Sequence, residues 1–132
     1  MAEADEIYWL KAEESLAGAD SEFANGRLNN CANRSYYACF QAAVHALIQE
    51  GIRPGGRRPQ WGHDFVQAQF VGELINRRKR YPPQLRETLV RNLELRQAGD
   101  YRANQVSQTQ AFRALRRAGD FLKSIELGGE RQ

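Results

Sequence analysis

Strand-forming patterns are almost missing from this chain of 132 residues. Threonine occurs only at positions 88 and 109, and no run rich in valine, isoleucine and threonine alternates apolar with polar residues. Such alternation is typical of a strand with one buried face. Its absence argues against a β-rich fold.

Cysteine is also scarce. Cys31 and Cys39 are the only two, and on one predicted helix they lie about 12 Å apart along the axis. A disulfide requires Cα atoms within about 7 Å, so the two cannot bridge, and each is expected to be a small buried hydrophobe. No CxxC or HxxxH spacing occurs, so we expect no metal site and no cofactor. Free thiols suit a reducing cytosol.

A long apolar run and a strong net charge are missing as well. No apolar segment approaches the roughly 18 residues of a membrane span, and the acidic start MAEADE lacks the apolar stretch of a signal peptide. We therefore expect a cytoplasmic protein without membrane contact. The net charge of +3 permits contact with nucleic acid or nucleotides without requiring it. Basic residues cluster in 57–63 and 76–81.

What the chain has in abundance is apolar residues spaced three to four positions apart, which predicts helices. They are expected over residues 4–24, 28–50, 63–79, 83–98 and 108–126. Gly26 suits the end of the first, Pro54 prevents the second from continuing, and Ser107 begins a capping box for the last. We predict a single domain over 1–132, with a core of about 4–126 and frayed termini. Its fold class is all-α, an antiparallel bundle of about five helices.

The second predicted helix contains an unusual polar turn within CANRSYYACFQAAVHAL, residues 31–47. On a helical wheel its apolar stripe consists of Asn33, Tyr37, Phe40, Val44 and Leu47, and Tyr36 flanks that stripe. Asn33 lies on the axis of the stripe, so we expect it to have a hydrogen-bonding partner. A neighbouring stripe of Arg34, Gln41 and His45 can face a cleft, a partner or water.

A second polar cluster lies in RQAGDYR, residues 96–102. Arg96 is close to the end of an apolar helix, Gly99 is expected to terminate it, and Asp100 and Tyr101 begin the connection. These residues can simply be helix-end chemistry. They can also be a functional group where two helices meet. His63, after QWG, is a third candidate at the start of the third helix.

The order of these segments resembles the HEPN domain, the all-α family named for nucleotide binding in higher eukaryotes and prokaryotes. The resemblance rests on NGRLNNCANRSYYACFQAA, WGHDFV, LRQAGDY and AFRALRRAGDFL, and it spans about residues 8–125. Within the family it resembles the small stand-alone prokaryotic proteins. It implies a helical homodimer, and many members are metal-independent ribonucleases whose motif is Arg followed by His after four to six residues. Arg96 matches the motif Arg, but residues 101–103 hold Tyr, Arg and Ala in place of the His.

The resemblance also implies roles for individual residues. Arg34 and Arg96 would bind the phosphates of a nucleotide or of RNA, with Asn33, Tyr37, Asp100 and Tyr101 as orienting groups. The protein would be the HEPN half of a toxin–antitoxin module, with a minimal nucleotidyltransferase as partner and Tyr101 as the residue that the transferase modifies.

Two alternatives stay open. One is a metal-independent ribonuclease whose catalytic residues are Arg96 with His63 or Tyr101, because an Arg can hold a phosphate while a second group transfers a proton. The other is a non-catalytic adaptor in which the same polar residues form a network that fixes the helix packing.

Overall fold

The computed structural model describes the backbone of residues 2–101 and 105–130, and the side chains of residues 4, 6–100 and 105–128. Its α-helices are α1 (Ala2–Ala24), α2 (Leu28–Gln49), α3 (His63–Gln69), α4 (Thr88–Tyr101) and α5 (Gln108–Glu130). Helix α3 continues into a π-helical segment (Phe70–Arg77), and a short 3-10 helix (Pro83–Glu87) leads into α4. No strand occurs in these described ranges, so the predicted all-α class is confirmed.

Helix α2 is the centre of the bundle. It packs against α1, α4 and α5, and only three residues connect it to α1, so the two helices run antiparallel. Gly26 makes this tight connection with a φ of 75°, a left-handed conformation that glycine adopts without strain. Small residues let the neighbouring helices approach α2 closely. Those with no exposed surface are Cys31, Ala32, Ser35, Ala38, Cys39, Ala42, Ala43 and Ala46.

Helix α4 extends further than the sequence predicts. Gly99 was expected to terminate it near residue 98, but the helix continues through Gly99 to Tyr101. The glycine is explained by packing, since a Cβ there would lie 3.0 Å from Val106 Cγ2 and 3.3 Å from Asn29 Oδ1. That amide oxygen accepts a hydrogen bond from the Val106 N–H at 2.9 Å. Asp100 therefore belongs to the helix and not to a connection, which corrects the sequence prediction.

The last helix begins as predicted. The Ser107 N–H donates to Gln110 Oε1 at 2.9 Å, and the Gln110 N–H donates to Ser107 Oγ at 3.1 Å, which is a reciprocal capping box. Helix α5 then extends past residue 126 to Glu130, so part of the expected frayed tail is helical. None of the described helices is long and apolar enough to cross a membrane.

One fully buried polar residue, Asn92, connects three helices. Its Nδ2 donates to the Ala114 carbonyl at 3.3 Å and to Cys39 Sγ at 3.5 Å. Its Oδ1 accepts from Arg117 Nε at 2.8 Å. Because Asn92 lies one turn before Arg96 on α4, these bonds to α2 and α5 fix the position of the helix that carries Arg96. Cys39 and Cys31 are buried free thiols, as expected.

Candidate functional site

The polar turn of α2 is oriented differently from the helical-wheel prediction. Tyr36, placed beside the apolar stripe by the wheel, has only 2% of its surface exposed. Asn33, Tyr37 and Phe40, placed on the stripe, are only partly buried. Helices α3 and α4 pack over the Tyr36 side of α2, which a wheel of one isolated helix does not include. Tyr36 is thus the buried tyrosine of the pair.

The hydroxyl of Tyr36 shares a short hydrogen bond with Nδ1 of His63, the first residue of α3. The two ring centroids are 5.3 Å apart, and the His63 ring also lies 5.2 Å from that of Phe40. His63 itself is exposed. One edge of its imidazole is therefore held by the core of the bundle while the residue stays accessible from solvent.

Arg96 reaches the same tyrosine from α4. Its guanidinium carbon lies 5.9 Å from the centroid of Tyr36 and 5.1 Å from that of Tyr37, within the range of cation–π attraction. Arg96 and His63 therefore both contact the same residue, Tyr36. We call Asn33, Tyr36, Tyr37, His63, Arg96 and Asp100 the Tyr36 cluster.

Arg96 already has an anionic partner within its own helix. Its Nε lies 3.3 Å from Asp100 Oδ2, one turn further along α4, and the two side chains are only 16% and 28% exposed. The same carboxylate oxygen accepts from Asn33 Nδ2 at 3.4 Å. Asn33 thus has the polar partner that its position requires, and that partner belongs to the second polar cluster of the sequence.

Burial sets the protonation of Tyr36. It raises the pKa of the phenol well above its usual value, neighbouring Tyr37 adds to that effect, and the positive charge of Arg96 opposes it. The phenol therefore keeps its proton at neutral pH, and His63 Nδ1 is the only hydrogen-bonding partner of its hydroxyl among the described residues. A neutral imidazole that accepts at Nδ1 carries its own hydrogen on Nε2. His63 can then offer a second N–H donor to an anion.

Other predicted site residues lie elsewhere. Arg34 faces α1, where its Cγ and Cδ are 3.9 Å from the position of a Cβ at Gly18. The rest of its stripe also faces α1, since Gln41 Oε1 accepts from Ser15 Oγ at 2.7 Å. No described contact brings Arg34 to Arg96. The side chain of Tyr101 and residues 102–104 lie outside the described part of the chain.

A cavity of about 270 Å³ opens beside the Tyr36 cluster, between α3 and α4. Tyr36, Phe40 and His63 form one wall, and Leu89 and Leu93 of α4 contribute to the opposite wall. The polar lining residues are Asp64, Gln67 and Glu94. The Oε1 of Gln67 is buried and has no hydrogen-bonding partner in the described structure. The cavity therefore combines ring surfaces with an unused acceptor.

A family model, the HEPN domain, matches residues 6–127, nearly the whole chain. The chain belongs to the HEPN domain family. No curated protein matches it.

Family membership makes the position of His63 informative. In this HEPN domain, positions 101–103 lack the histidine that follows the motif Arg in many members. The structure places His63, from a different helix, on the tyrosine that Arg96 also contacts. The separate sequence motifs do not indicate Tyr36 as the residue that Arg96 and His63 share. The available signal was its position one turn after Asn33 in the ANRSYY stretch.

Proposed function

We propose that this HEPN domain binds a phosphate group of RNA or of a nucleotide at the Tyr36 cluster. The observation that carries the proposal is that Tyr36 holds a guanidinium over its ring and an exposed imidazole at its hydroxyl. Arginine is suited to bidentate contact with phosphate oxygens. An imidazole N–H is a second donor on the same side.

The roles differ among the cluster residues. Asp100 occupies the Nε side of Arg96, which leaves the two terminal nitrogens for phosphate oxygens. Asn33 holds Asp100, and Tyr37 supports the guanidinium with its ring. The cavity beside His63 has the size and the ring surfaces for one nucleobase. Arg34 lies against α1, so the proposal assigns it no phosphate.

Family membership also supports an assembly. HEPN proteins commonly form homodimers, and many act beside a minimal nucleotidyltransferase in toxin–antitoxin modules, with a tyrosine near the motif as the modified residue. We propose the same arrangement here, with Tyr101 as the modified residue. Native mass spectrometry measures the dimer, and intact mass after coexpression with a nucleotidyltransferase measures the added nucleotide. A monomer that gains no mass contradicts both parts of this assembly.

His63 favours a second candidate function, a metal-independent ribonuclease. The RNA 2′-hydroxyl would attack the adjacent phosphorus and lose its proton to solvent, and the bond to the 5′-oxygen would break. In its imidazolium form, with Nδ1–H donating to the Tyr36 hydroxyl, His63 would protonate that leaving oxygen from Nε2 and become neutral, while Arg96 stabilises the negative charge on the phosphate. Such chemistry needs no metal, and no group of side chains able to hold one occurs among the described residues.

Fluorescence anisotropy with a labelled RNA oligonucleotide in EDTA tests binding, and gel analysis of the same samples tests cleavage. Arg96→Lys keeps the charge but loses the two-pronged geometry, so affinity should fall about tenfold, equivalent to about 1.4 kcal/mol. The control is Arg53→Gln, which removes a charge from an exposed loop residue. Equal affinities for wild type and Arg96→Lys would refute the role of Arg96.

His63→Gln separates the two functions. Under the binding function it costs only one hydrogen bond, so affinity falls a few-fold at most. Under the ribonuclease function it abolishes cleavage while most of the affinity remains. A wild-type protein that leaves the RNA intact removes the ribonuclease candidate.

Asp100→Asn separates phosphate binding from the adaptor alternative. The substitution removes a negative charge beside the proposed phosphate, but its amide oxygen can still accept from Asn33 Nδ2. Binding of phosphate therefore predicts a several-fold increase in affinity. An adaptor predicts unchanged affinity and a loss of stability of up to about 1 kcal/mol, because its role is the ion pair itself.

A further inference from the structure

A second cavity lies at the opposite end of the α3 and π-helical rod from His63. Its volume is about 740 Å³, within the usual range for sites that bind small molecules. It opens where the chain leaves the π-helical segment and enters the 3-10 helix, with the last turns of α5 as a further wall. No residue of the Tyr36 cluster contributes to it.

The cavity is lined by cations. Lys79, Arg80 and Arg86 all contribute, and none of the lining side chains in the described structure is acidic. Glu50 lies 3.0 Å from Arg80 Nε and partly neutralises that charge. No carboxylate in the described part of the chain lies within ion-pair distance of Lys79 or Arg86. The cavity therefore presents two uncompensated positive charges, which attract an anion.

Arg86 is held ready for such a ligand. Its Nε and Nη2 both donate to Asn76 Oδ1, at 3.0 and 2.8 Å. A neutral amide thus fixes the guanidinium without neutralising it. The Nη1 hydrogens have no acceptor among the described residues, so an anion meets an oriented donor whose charge is intact.

Lys79 has an unfavourable backbone conformation. Its φ of 52° is the only positive value of a non-glycine residue in the described ranges. The residue follows the last turn of the π-helical segment, a position where glycine is the usual choice. A lysine there is strained relative to glycine. Strained backbone conformations occur preferentially at functional sites, and Lys79 lines the cavity.

The remaining walls are apolar. Tyr81 is only 4% exposed and stacks on Phe70 with centroids 5.5 Å apart, so it forms the rigid base of this side and offers little open surface itself. Pro82, Pro83 and Leu127 complete this side. A small inorganic anion would leave these surfaces unused. A ligand with a planar or apolar part would cover them.

We propose that this cavity is a second site, which binds a small phosphate monoester with a planar or apolar substituent. A phosphate monoester is close to doubly negative at neutral pH, which matches the charges of Lys79 and Arg86. The fork of Arg86 suits its oxygens, and Lys79 adds a point charge. This site is independent of the phosphate bound at the Tyr36 cluster.

Isothermal titration of the full chain with phenyl phosphate and with inorganic phosphate, at equal ionic strength, tests the site. Phenyl phosphate should bind at least several-fold more tightly, because only its ring contacts the apolar wall. Arg86→Gln and Lys79→Gly should each weaken its binding at least fivefold. Arg53→Gln, which removes the same charge outside the cavity, should leave it unchanged.

Lys79→Gly also distinguishes a role of Lys79 in binding from a purely structural role. Glycine adopts a positive φ without strain, so the midpoint of thermal unfolding should rise by about 4 °C while binding weakens. Weaker binding together with a lower midpoint would make Lys79 a structural residue and overturn the proposal. Equal binding by wild type and both variants, or no saturable binding of phenyl phosphate, would overturn it too.

Discussion

The hydrogen bond between Tyr36 and His63 predicts an unequal response to removing its two partners. Tyr36→Phe deletes the hydroxyl and keeps the ring, so Arg96 still has an aromatic face beneath it. His63 is exposed, and water can satisfy its Nδ1. The cost is then one hydrogen bond without an unsatisfied group, which is about 0.5–1 kcal/mol.

His63→Ala leaves the other partner in a worse position. Tyr36 is 2% exposed, and its hydroxyl would lose the one hydrogen-bonding partner that the described structure provides. An unsatisfied buried hydroxyl costs about 1–3 kcal/mol, and the ring contact with Phe40 is lost as well. In a Tyr36→Phe background this penalty disappears. A double-mutant cycle should therefore give a coupling energy of about 1 kcal/mol.

Urea unfolding of the four proteins at pH 7.5 measures this coupling. The matched control is Tyr81→Phe combined with His63→Ala. Tyr81 is a tyrosine of similar burial at the other end of the α3 rod, and no contact with His63 is described for it. The coupling energy of this control cycle should be no larger than about 0.3 kcal/mol. A Tyr36 coupling as small as that control, or a larger loss for Tyr36→Phe than for His63→Ala, would refute this account of the bond.

Three further predictions concern the stability of the fold. Gly119→Ala should stabilise the fold by about 1 kcal/mol, because its Cβ meets nothing within 4 Å inside α5. Gly128→Ala should destabilise it by about 1–3 kcal/mol, because its Cβ would overlap the Tyr81 ring. Thermal unfolding that shifts in the same direction for both variants contradicts this. Burial raises the pKa of Cys39 from 9.0 to about 12. Between these pH values the unfolded chain releases a proton that the folded chain keeps. The free energy of unfolding should therefore fall by up to about 1.4 kcal/mol per pH unit from this group alone. Chemical unfolding across that range should show a shallower decline for Cys39→Ala, and identical slopes would exclude Cys39 as a cause. Asn92→Ala removes the hydrogen-bonding partners of Arg117 Nε and of the Ala114 carbonyl. The free energy of unfolding in urea should therefore fall by about 2–4 kcal/mol. A fall of less than about 1 kcal/mol would show that water replaces the amide.

The helices could be predicted from the sequence because their signals are local. Apolar periodicity predicted the five α-helices, and the Ser107 capping box was visible as Ser followed three residues later by Gln. The periodicity did not predict that residues 70–77 form a π-helix or that residues 83–87 form a 3-10 helix. Gly99 shows the limit of such signals. A glycine near a helix end can mean termination or close packing, and only the positions of Asn29 and Val106 decide between them.

The site was predicted less completely because its geometry depends on contacts between distant residues. The resemblance grouped Asn33 with Arg96 and Asp100 correctly in space. The helical wheel could not show that α3 and α4 bury Tyr36 and not Tyr37. His63 lies 27 residues from Tyr36 along the chain, so no pattern within either helix could predict that they are bonded.

The Asp100 carboxylate has opposite effects on phosphate binding by the Tyr36 cluster, if the cluster binds phosphate. A phosphate that reaches Arg96 must share the guanidinium with an internal anion 3.3 Å from its Nε. Like charges so close repel, and the low exposure of both side chains weakens screening by solvent and salt. Asp100 would therefore lower the affinity of the cluster for a phosphate at the same time as it orients the Arg96 side chain. If the cluster binds phosphate, neutralising Asp100 must strengthen that binding, and the gain must be larger at low salt than at high salt. If the cluster only holds α2 and α4 together, the same substitution can change only the stability of the fold.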